Sequence, residues 1–394
     1  MWAFSNKIAV AGVGYSALSR RPQRPLMSLA VEACDAALAD AGLARKDLDG
    51  LVTSPAMPRY GGARGTIDGI DVVTPWALSE RLGTHHHLAW TGSTNAMVTQ
   101  GFQEAAMAIA SGVCDTVIVY RALHVPQGSY VNYESKYAAA GDQFMAPYGF
   151  SVPPSWAATV AQRYFELYGY SRADFARYIA DNRANTLKNP NGFWDKPLTR
   201  QDYLDARMIA DPMSILDCDI PVDGCAALLL TSTERARDLR CKPALLTGFA
   251  AGTHPAPAGL PMTLDDIWIG CEQVAERLWQ SSGVRPEEID TAQVYDGFAP
   301  FVYLWLEGLG IVPRGEGLAF LRDGHGSLTG KLPVNTGGGA LGEGRLHGMT
   351  QLAESVIQVT DRGGERQVPG ARRAVATISN GLTKSTAFIF SRDE

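Results

Sequence analysis

Apolar runs and apolar stripes alternate along this chain, and they define its elements before any chemistry is considered. Lys7-Ile8-Ala9-Val10-Ala11 is a short continuous run of the kind a buried strand makes. After Pro25, Leu26, Leu29, Ala30, Ala33 and Ala37 recur at helical spacing and stop at Gly42, a residue suited to a left-handed cap. Residues 48–53 read as a second strand. Val98, Phe102, Ala105, Ala106 and Ile109 share one helix face behind Trp90-Thr91-Gly92-Ser93-Thr94-Asn95, where Ser93 or Thr94 suits an N-cap. Thr116-Val117-Ile118-Val119-Tyr120 follows as a strand. From Arg121 to Pro212, tyrosines, Trp156, Trp194, prolines and polar residues interleave, with helical patches only at 157–168 and 174–188. That texture predicts an insertion covering a pocket, the alternative being an independent folded domain. Strand signals return at Ala226-Ala227-Leu228-Leu229-Leu230.

The pattern also repeats. Gly42-Leu43-Ala44-Arg45-Lys46-Asp47-Leu48-Asp49 is echoed by Gly283-Val284-Arg285-Pro286-Glu287-Glu288-Ile289-Asp290, each after an apolar-faced helix and before a strand. The run at Lys7 is matched by Ala244-Leu245-Leu246-Thr247-Gly248, and residues 112–119 by residues 370–377. Two related halves, 1–240 (with the insertion at 121–212) and 241–394, are expected. Each alternates strands with helices, which implies parallel pairing with helices on both faces, and each half is expected to be a mixed sheet around a central buried helix. Equivalent helix starts near Asn95 and His347 should then meet at the pseudo-dyad.

Asn335-Thr336-Gly337-Gly338-Gly339-Ala340-Leu341-Gly342-Glu343-Gly344-Arg345-Leu346-His347-Gly348-Met349 carries the strongest chemical signal. Its glycines permit positive φ and close approach, and Met349, Leu352, Ala353 and Val356 open a buried helix behind it. A flexible loop would thus deliver Arg345 and His347 to a helix start, which suits an anion or a developing oxyanion.

Other features narrow the classes. A net charge of −6 argues against a general nucleic-acid binder, and 46% hydrophobic with 19% charged residues is ordinary for a globular chain of 394 residues. Met1 to Lys7 lacks a leader's basic and apolar regions, and no apolar run approaches a membrane span's roughly 20 residues. Six scattered cysteines without a C-x-x-C pair read as reduced, cytoplasmic and free of a zinc site. Gly12-Val13-Gly14-Tyr15-Ser16-Ala17 imitates a dinucleotide fingerprint, but the helix it requires starts only near Pro25. His85-His86-His87, in an extended segment, would point to opposite faces, with no Cys, Asp or Glu nearby to complete a metal site.

Residues 8–14, the turn at 42–52, Asn189-Pro190, Asp217-Cys218, Asp223-Gly224, Val294-Tyr295-Asp296-Gly297-Phe298, Leu306-Glu307-Gly308-Leu309-Gly310 and the loop at 335–349 together resemble the thiolase superfamily. The resemblance is nearest to its sterol-carrier-type and steroid side-chain aldolase branches. It implies a five-layer αβαβα fold, a homodimer, and acyl-CoA thioesters handled between the halves. Where thiolases carry a nucleophilic cysteine this chain has Ser93-Thr94-Asn95, Arg345 replaces the base histidine, and Thr377-Ile378-Ser379-Asn380 lacks the second cysteine. A thiolase step needs a thiolate and its base. The aldolase branch also lacks the cysteine and shares Tyr295 and His347, but has a second tyrosine at Arg345.

The resemblance therefore implies retro-aldol cleavage of a bulky β-hydroxyacyl-CoA. Tyr295, Arg345, His347 and Asp296 are the expected catalytic groups, with Ser93, Thr94, Asn95, Gly338 and Gly339 toward the substrate. Arg345 would favour the Tyr295 phenolate. No metal and no cofactor beyond the substrate's own CoA is expected, and a small OB-fold partner is implied. The alternatives are a non-catalytic thiolase-fold subunit of an acyltransferase and cysteine-independent acyl transfer. Dimerisation is expected across an open edge at residues 116–120.

Overall fold

Nine strands of the computed structural model form one hydrogen-bonded sequence, and that sequence contains the same pattern twice. The structure describes residues 2–21, 24–54, 67–94, 98–125, 143–150, 152–253, 263–379 and 384–393. The strands are β1 (Ile8–Tyr15), β2 (Gly50–Thr53), β3 (Trp90–Ser93), β4 (Thr116–Leu123), β5 (Gly224–Ser232), β6 (Ala244–Thr253), β7 (Thr291–Gln293), β8 (Arg373–Ser379) and β9 (Lys384–Arg392). Their spatial order is β3-β2-β4-β5-β1-β6-β9-β8-β7. In the first half β2 runs parallel to β4, while β4–β5 and β5–β1 are antiparallel. In the second, β7 is parallel to β8, while β8–β9 and β9–β6 are antiparallel. The halves meet where β1 pairs antiparallel with β6, at Ala9↔Leu245 and Val10↔Ala244.

Side-chain alternation along these strands sorts residues into layers. Ala9, Ala11, Ile118, Tyr120, Cys225, Ala227 and Leu229 face helix α1 (Leu26–Ala41) in one apolar cluster. Ile8, Val10, Val117, Val119, Ala226, Leu228 and Leu230 face the other way, toward α2 (Val98–Ala110). Phe102 of α2 meets Phe388 and Phe390 of β9 edge-on at 5.2 and 5.9 Å, so α2 is sandwiched between the halves. Such ring pairs add about 0.5–1.5 kcal/mol each beyond burial. Helix α3 spans Ala176–Thr186, and α4 (Leu264–Ser282) covers β6 and β9 on the far side. A short turn of helix, α5 (Gly339–Gly342), precedes α6 (Met349–Val359), which packs on β7, β8 and β9. The result is the expected five-layer αβαβα arrangement.

Gly12 and Gly14 find their explanation here. A Cβ on Gly12 would collide with the carbonyl oxygen of Ala37, and one on Gly14 with that of Ala33. The glycines let α1 lie directly on β1, and the helix begins at Leu26, well after them. Four expectations change. The implied parallel pairing gives way to the mixed sheet, because β5 returns antiparallel between β4 and β1, and β9 between β8 and β6. The strand at 116–120 is not an edge, because β4 is paired with β2 on one side and β5 on the other; among the described residues the open edge of that half is β3. Arg121, read as the first residue of the insertion, lies within β4. His85–His87 form a turn with edge-to-face rings, centroids 5.4 and 4.8 Å apart, rather than an extended segment.

Candidate active site

The loop at 335–349 is clamped rather than flexible. Asn335 takes φ 48°, and its side-chain amide donates to the Tyr178 hydroxyl at 2.9 Å. Asn182 of α3 donates to Gly338 O at 3.0 Å, and Asn189 donates to Gly337 O and Glu343 Oε1, both at 2.8 Å. Gly338 (φ 98°) and Gly339 (φ 59°) occupy backbone conformations that favour glycine, and a Cβ on either would strike Thr186 or the Asp296 carboxylate. Beneath them Arg366 forms a buried pair with Glu354 at 3.1 Å, and Glu354 accepts from Thr336 Oγ1 at 2.8 Å. Burial and the adjacent Glu354 push the Glu343 carboxyl well above the usual range, with Arg366 drawing it back.

Asp296 is fully buried and belongs to this clamp. Its carboxylate accepts from Ala340 N at 2.7 Å, Leu341 N at 3.3 Å and Gln351 Nε2 at 2.7 Å. Burial raises its pKa to about 7, against the pull of the two backbone N–H groups. These contacts fix the entry to α5 and tie it to α6.

Tyr295 follows β7, with its backbone N–H donating to Thr377 Oγ1 of β8 at 3.2 Å and its ring stacked on Phe301. The segment after Asp217 threads between it and the loop. Asp219 N donates to Gly297 O at 3.1 Å, Ile220 N to Ala340 O at 3.3 Å, and Arg345 N to Ile220 O at 2.9 Å. Asp219 is thereby set, buried, between the Tyr295 turn and Arg345. The Tyr295 hydroxyl is pushed up by burial first and by the Asp219 charge second; Arg345 pulls it down less strongly, and Asp296 adds a further upward push. Arg345 acts in the anticipated direction, but burial and Asp219 outweigh it. The phenol is thus the form held at neutral pH.

His347 stands at φ 52°, immediately before Gly348 and α6. Its Nδ1 lies 3.1 Å from Nη2 of Arg121, which reaches it from β4. A Cβ on Gly348 would strike Ile378 of β8. Ile378 pairs with Thr386 of β9, whose hydroxyl meets that of Thr99 in the first turn of α2 at 2.9 Å. The starts of α2 and α6 are therefore joined through one short path. Thr94 enters the same region by its backbone, donating to Thr53 O at 3.2 Å, and Thr53 Oγ1 donates to Tyr120 O beside Arg121. Ser93 ends the open edge strand and is exposed; Asn95 lies outside the described residues.

Cys218, adjacent to Asp219, is the thiol nearest in sequence to these groups. Burial, then Asp217 and Asp219, push it well above the ordinary thiol range, the reverse of what a nucleophilic thiolate needs.

A family described as thiolase C-terminal domain-like matches residues 265–392. The chain is 34% identical to the 17-hydroxy-3-oxo-4-pregnene-20-carboxyl-CoA lyase of Mycobacterium tuberculosis over 97% of this chain and 98% of that one. It is 35% identical to the steroid side-chain-cleaving aldolase of Thermomonospora curvata over 96% of each. The chain belongs to the steroid side-chain aldolases of the thiolase-like family. Among solved structures, the Ltp2–ChsH2(DUF35) aldolase superposes with a TM-score of 0.85 at 31% identity, over 99% of both chains. Human mitochondrial 3-ketoacyl-CoA thiolase, at 14% identity and a TM-score of 0.68 over 99% of both, shares the fold.

Two residues that the sequence reading did not single out, Asp219 and Arg121, stand beside the expected groups. Asp219 sits between two noted pairs, Asp217-Cys218 and Asp223-Gly224, and its nearness to Tyr295 depends on the thread of backbone bonds just described. Arg121 continues the inward-facing alternation Val117, Val119, and a charge in that register was the available signal. No described helix is long and apolar enough to cross a membrane.

Proposed function

We propose that this chain is a retro-aldol carbon–carbon lyase that cleaves the CoA thioester of a bulky, steroid-type β-hydroxyacyl side chain into a carbonyl product and a shorter acyl-CoA. What carries the reading is Tyr295, buried between the oppositely charged Asp219 and Arg345, in a chain aligned end to end with named lyases and without a reactive thiolate at this point.

The reaction requires three things of the protein. A base must take the proton of the β-hydroxyl; the Cα–Cβ bond then breaks, leaving its electron pair on the thioester as an enolate; and that carbon must be reprotonated. Tyr295 is the group we assign to the hydroxyl. Its phenol is neutral at rest, and on losing that proton to solvent it becomes the base that takes the hydroxyl proton; the Asp219 charge strengthens that base and Arg345 favours its formation. The proton returns by the same route to the enolate carbon. Arg345 opposes the accumulating negative charge, and we assign His347, Thr94 and the glycines at 338 and 339 to the thioester end. Asp296 acts by holding the loop in register. CoA enters as part of the substrate, and no separate cofactor is assigned.

We assign the division near residue 240 to the junction between the two strand patterns, and a homodimer to the open edge of β3. A small partner of the ChsH2(DUF35) kind is expected at work with it, as in the structural relative. The test is incubation with 17-hydroxy-3-oxo-4-pregnene-20-carboxyl-CoA, alone and with a ChsH2-type protein, following release of a shorter acyl-CoA. Cleavage supports the lyase. An absence of cleavage of this and other β-hydroxyacyl-CoA esters, with the partner present, favours a non-catalytic subunit.

A further inference from the structure

Arg121 is a full guanidinium in the middle of the protein. It is 4% exposed and lies on a strand with neighbours on both sides. The preceding inward residues of that strand, Val117 and Val119, are ordinary core. Burying a cation there is costly unless its donors are used. Nη1 donates to the Ala122 carbonyl at 3.2 Å, which fixes the guanidinium plane, and Nη2 approaches His347 Nδ1 at 3.1 Å.

That second contact has a definite polarity. A guanidinium has donors only and keeps its charge throughout the pH range of proteins. Nδ1 must therefore be the acceptor, and a neutral His347 carries its proton on Nε2, the nitrogen turned away from Arg121. The ring is held from its backbone side as well: His347 occupies the left-handed region at φ 52°, and the following Gly348 is packed against Ile378.

We propose that Arg121 is a positioning residue that holds His347 in the Nε2–H tautomer, so that this histidine serves the reaction as a hydrogen-bond donor and not as its base. The use of that proton rests on the lyase reading: the enolate oxygen of the departing thioester is the acceptor that a fixed N–H would stabilise. The tautomer itself does not depend on that reading. It also sharpens the division of labour, because it leaves proton removal to Tyr295.

Long-range 1H–15N correlation spectra of histidine-labelled protein test this directly, with His347 assigned by the signal missing from His347→Gln. At neutral pH the wild-type spectrum is expected to show an unprotonated, acceptor-type Nδ1 and a protonated Nε2. Arg121→Lys, which keeps a cationic donor, retains that pattern, whereas Arg121→Met loses the preference. If the lyase assay succeeds, Arg121→Met lowers kcat by about 10- to 100-fold with little change in KM, as is common for residues that orient a functional imidazole, and Arg121→Lys recovers most of the loss. A wild-type His347 protonated on Nδ1 overturns the proposal, and so does an unchanged tautomer in folded Arg121→Met. The wild-type spectrum decides the matter even if Arg121→Met does not fold. An enzyme with the expected tautomer and no cleavage of any ester would remove the lyase reading and leave the Arg121 assignment standing.

Discussion

Replacing Asp296 by asparagine separates the cost of a buried charge from the value of the bonds it makes. In the folded protein this carboxyl titrates at about 7, against about 3.9 in an unfolded chain. The folded state therefore binds the proton more tightly, so ionising Asp296 destabilises the fold. Its contribution is most favourable below about pH 4 and is lost as pH rises toward 7, because over that window the native state holds a proton the unfolded state has released. A gap of about three pH units, at about 1.36 kcal/mol each, is about 4 kcal/mol. The substituted asparagine cannot ionise. Its amide oxygen can keep the 2.7 Å bonds from Ala340 N and Gln351 Nε2, while its NH2 group would face Leu341 N, now bonded at 3.3 Å. That exchange costs about 1 kcal/mol at every pH. Urea unfolding of both proteins at 25 °C, from about pH 4 to about pH 8.5, gives the stability of wild type minus Asp296→Asn. Other titrating groups largely cancel in the difference, apart from Asp219 and Tyr295, whose charges are coupled to Asp296. The wild type should be the more stable protein at the acid end, and its advantage should fall by about 4 kcal/mol and reverse by about pH 7. A flat difference, or one that rises with pH, would refute the claim that burial dominates this site.

Tyr295→Phe should retain the fold and CoA-ester binding but lower turnover by at least about a hundredfold, the lower end for a lost acid–base group; steady-state kinetics that match wild type would remove Tyr295 from its role. Gly338→Ala should destabilise the protein by about 1–3 kcal/mol from backbone conformation alone, read by urea unfolding, since φ is 98° there. Adding Thr186→Ala should relieve only the steric share of the loss. The chain should behave as a dimer in light scattering at micromolar concentration, and Thr91→Pro on the β3 edge should shift it toward monomer; a wild-type monomer would count against that edge as the interface.

The parts of the fold legible in the sequence were those written locally. The echo between residues 42–49 and 283–290 became two matching short helical turns, Arg45–Asp47 and Pro286–Glu288, each behind a left-handed glycine, at φ 76° and 70°. Helix α6 was visible in the stripe from Met349 to Val356. Strand order was not legible, because nothing near Thr116 announces that Gly224–Ser232 will return to lie beside it, and so an inner strand passed for an edge. The glycine loop stood out by composition. Its partners did not, since Asn182, Asn189 and Asp219 are polar residues among many until the chain folds over them. Arg121 and His347 lie 226 positions apart and meet only through the contact between the halves. The influence of Arg345 on Tyr295 had the correct sign, but its rank beneath desolvation and Asp219 depends on burial that composition does not disclose.

The clamped loop also bears on how this protein would be altered to take other substrates. Its peptides at Gly337 and Gly338 are held by amide side chains from Asn189 and Asn182, and those at Ala340 and Leu341 by Asp296. Ordering this wall is completed during folding, so a ligand arriving there meets a surface whose entropy has already been lost. Such a wall behaves as a mould. Widening or narrowing the acceptable side chain by substitution within it would disturb several anchors together and register first as lost stability. Changes of substrate range are better sought across the site, among residues that meet the ligand without also holding up the loop.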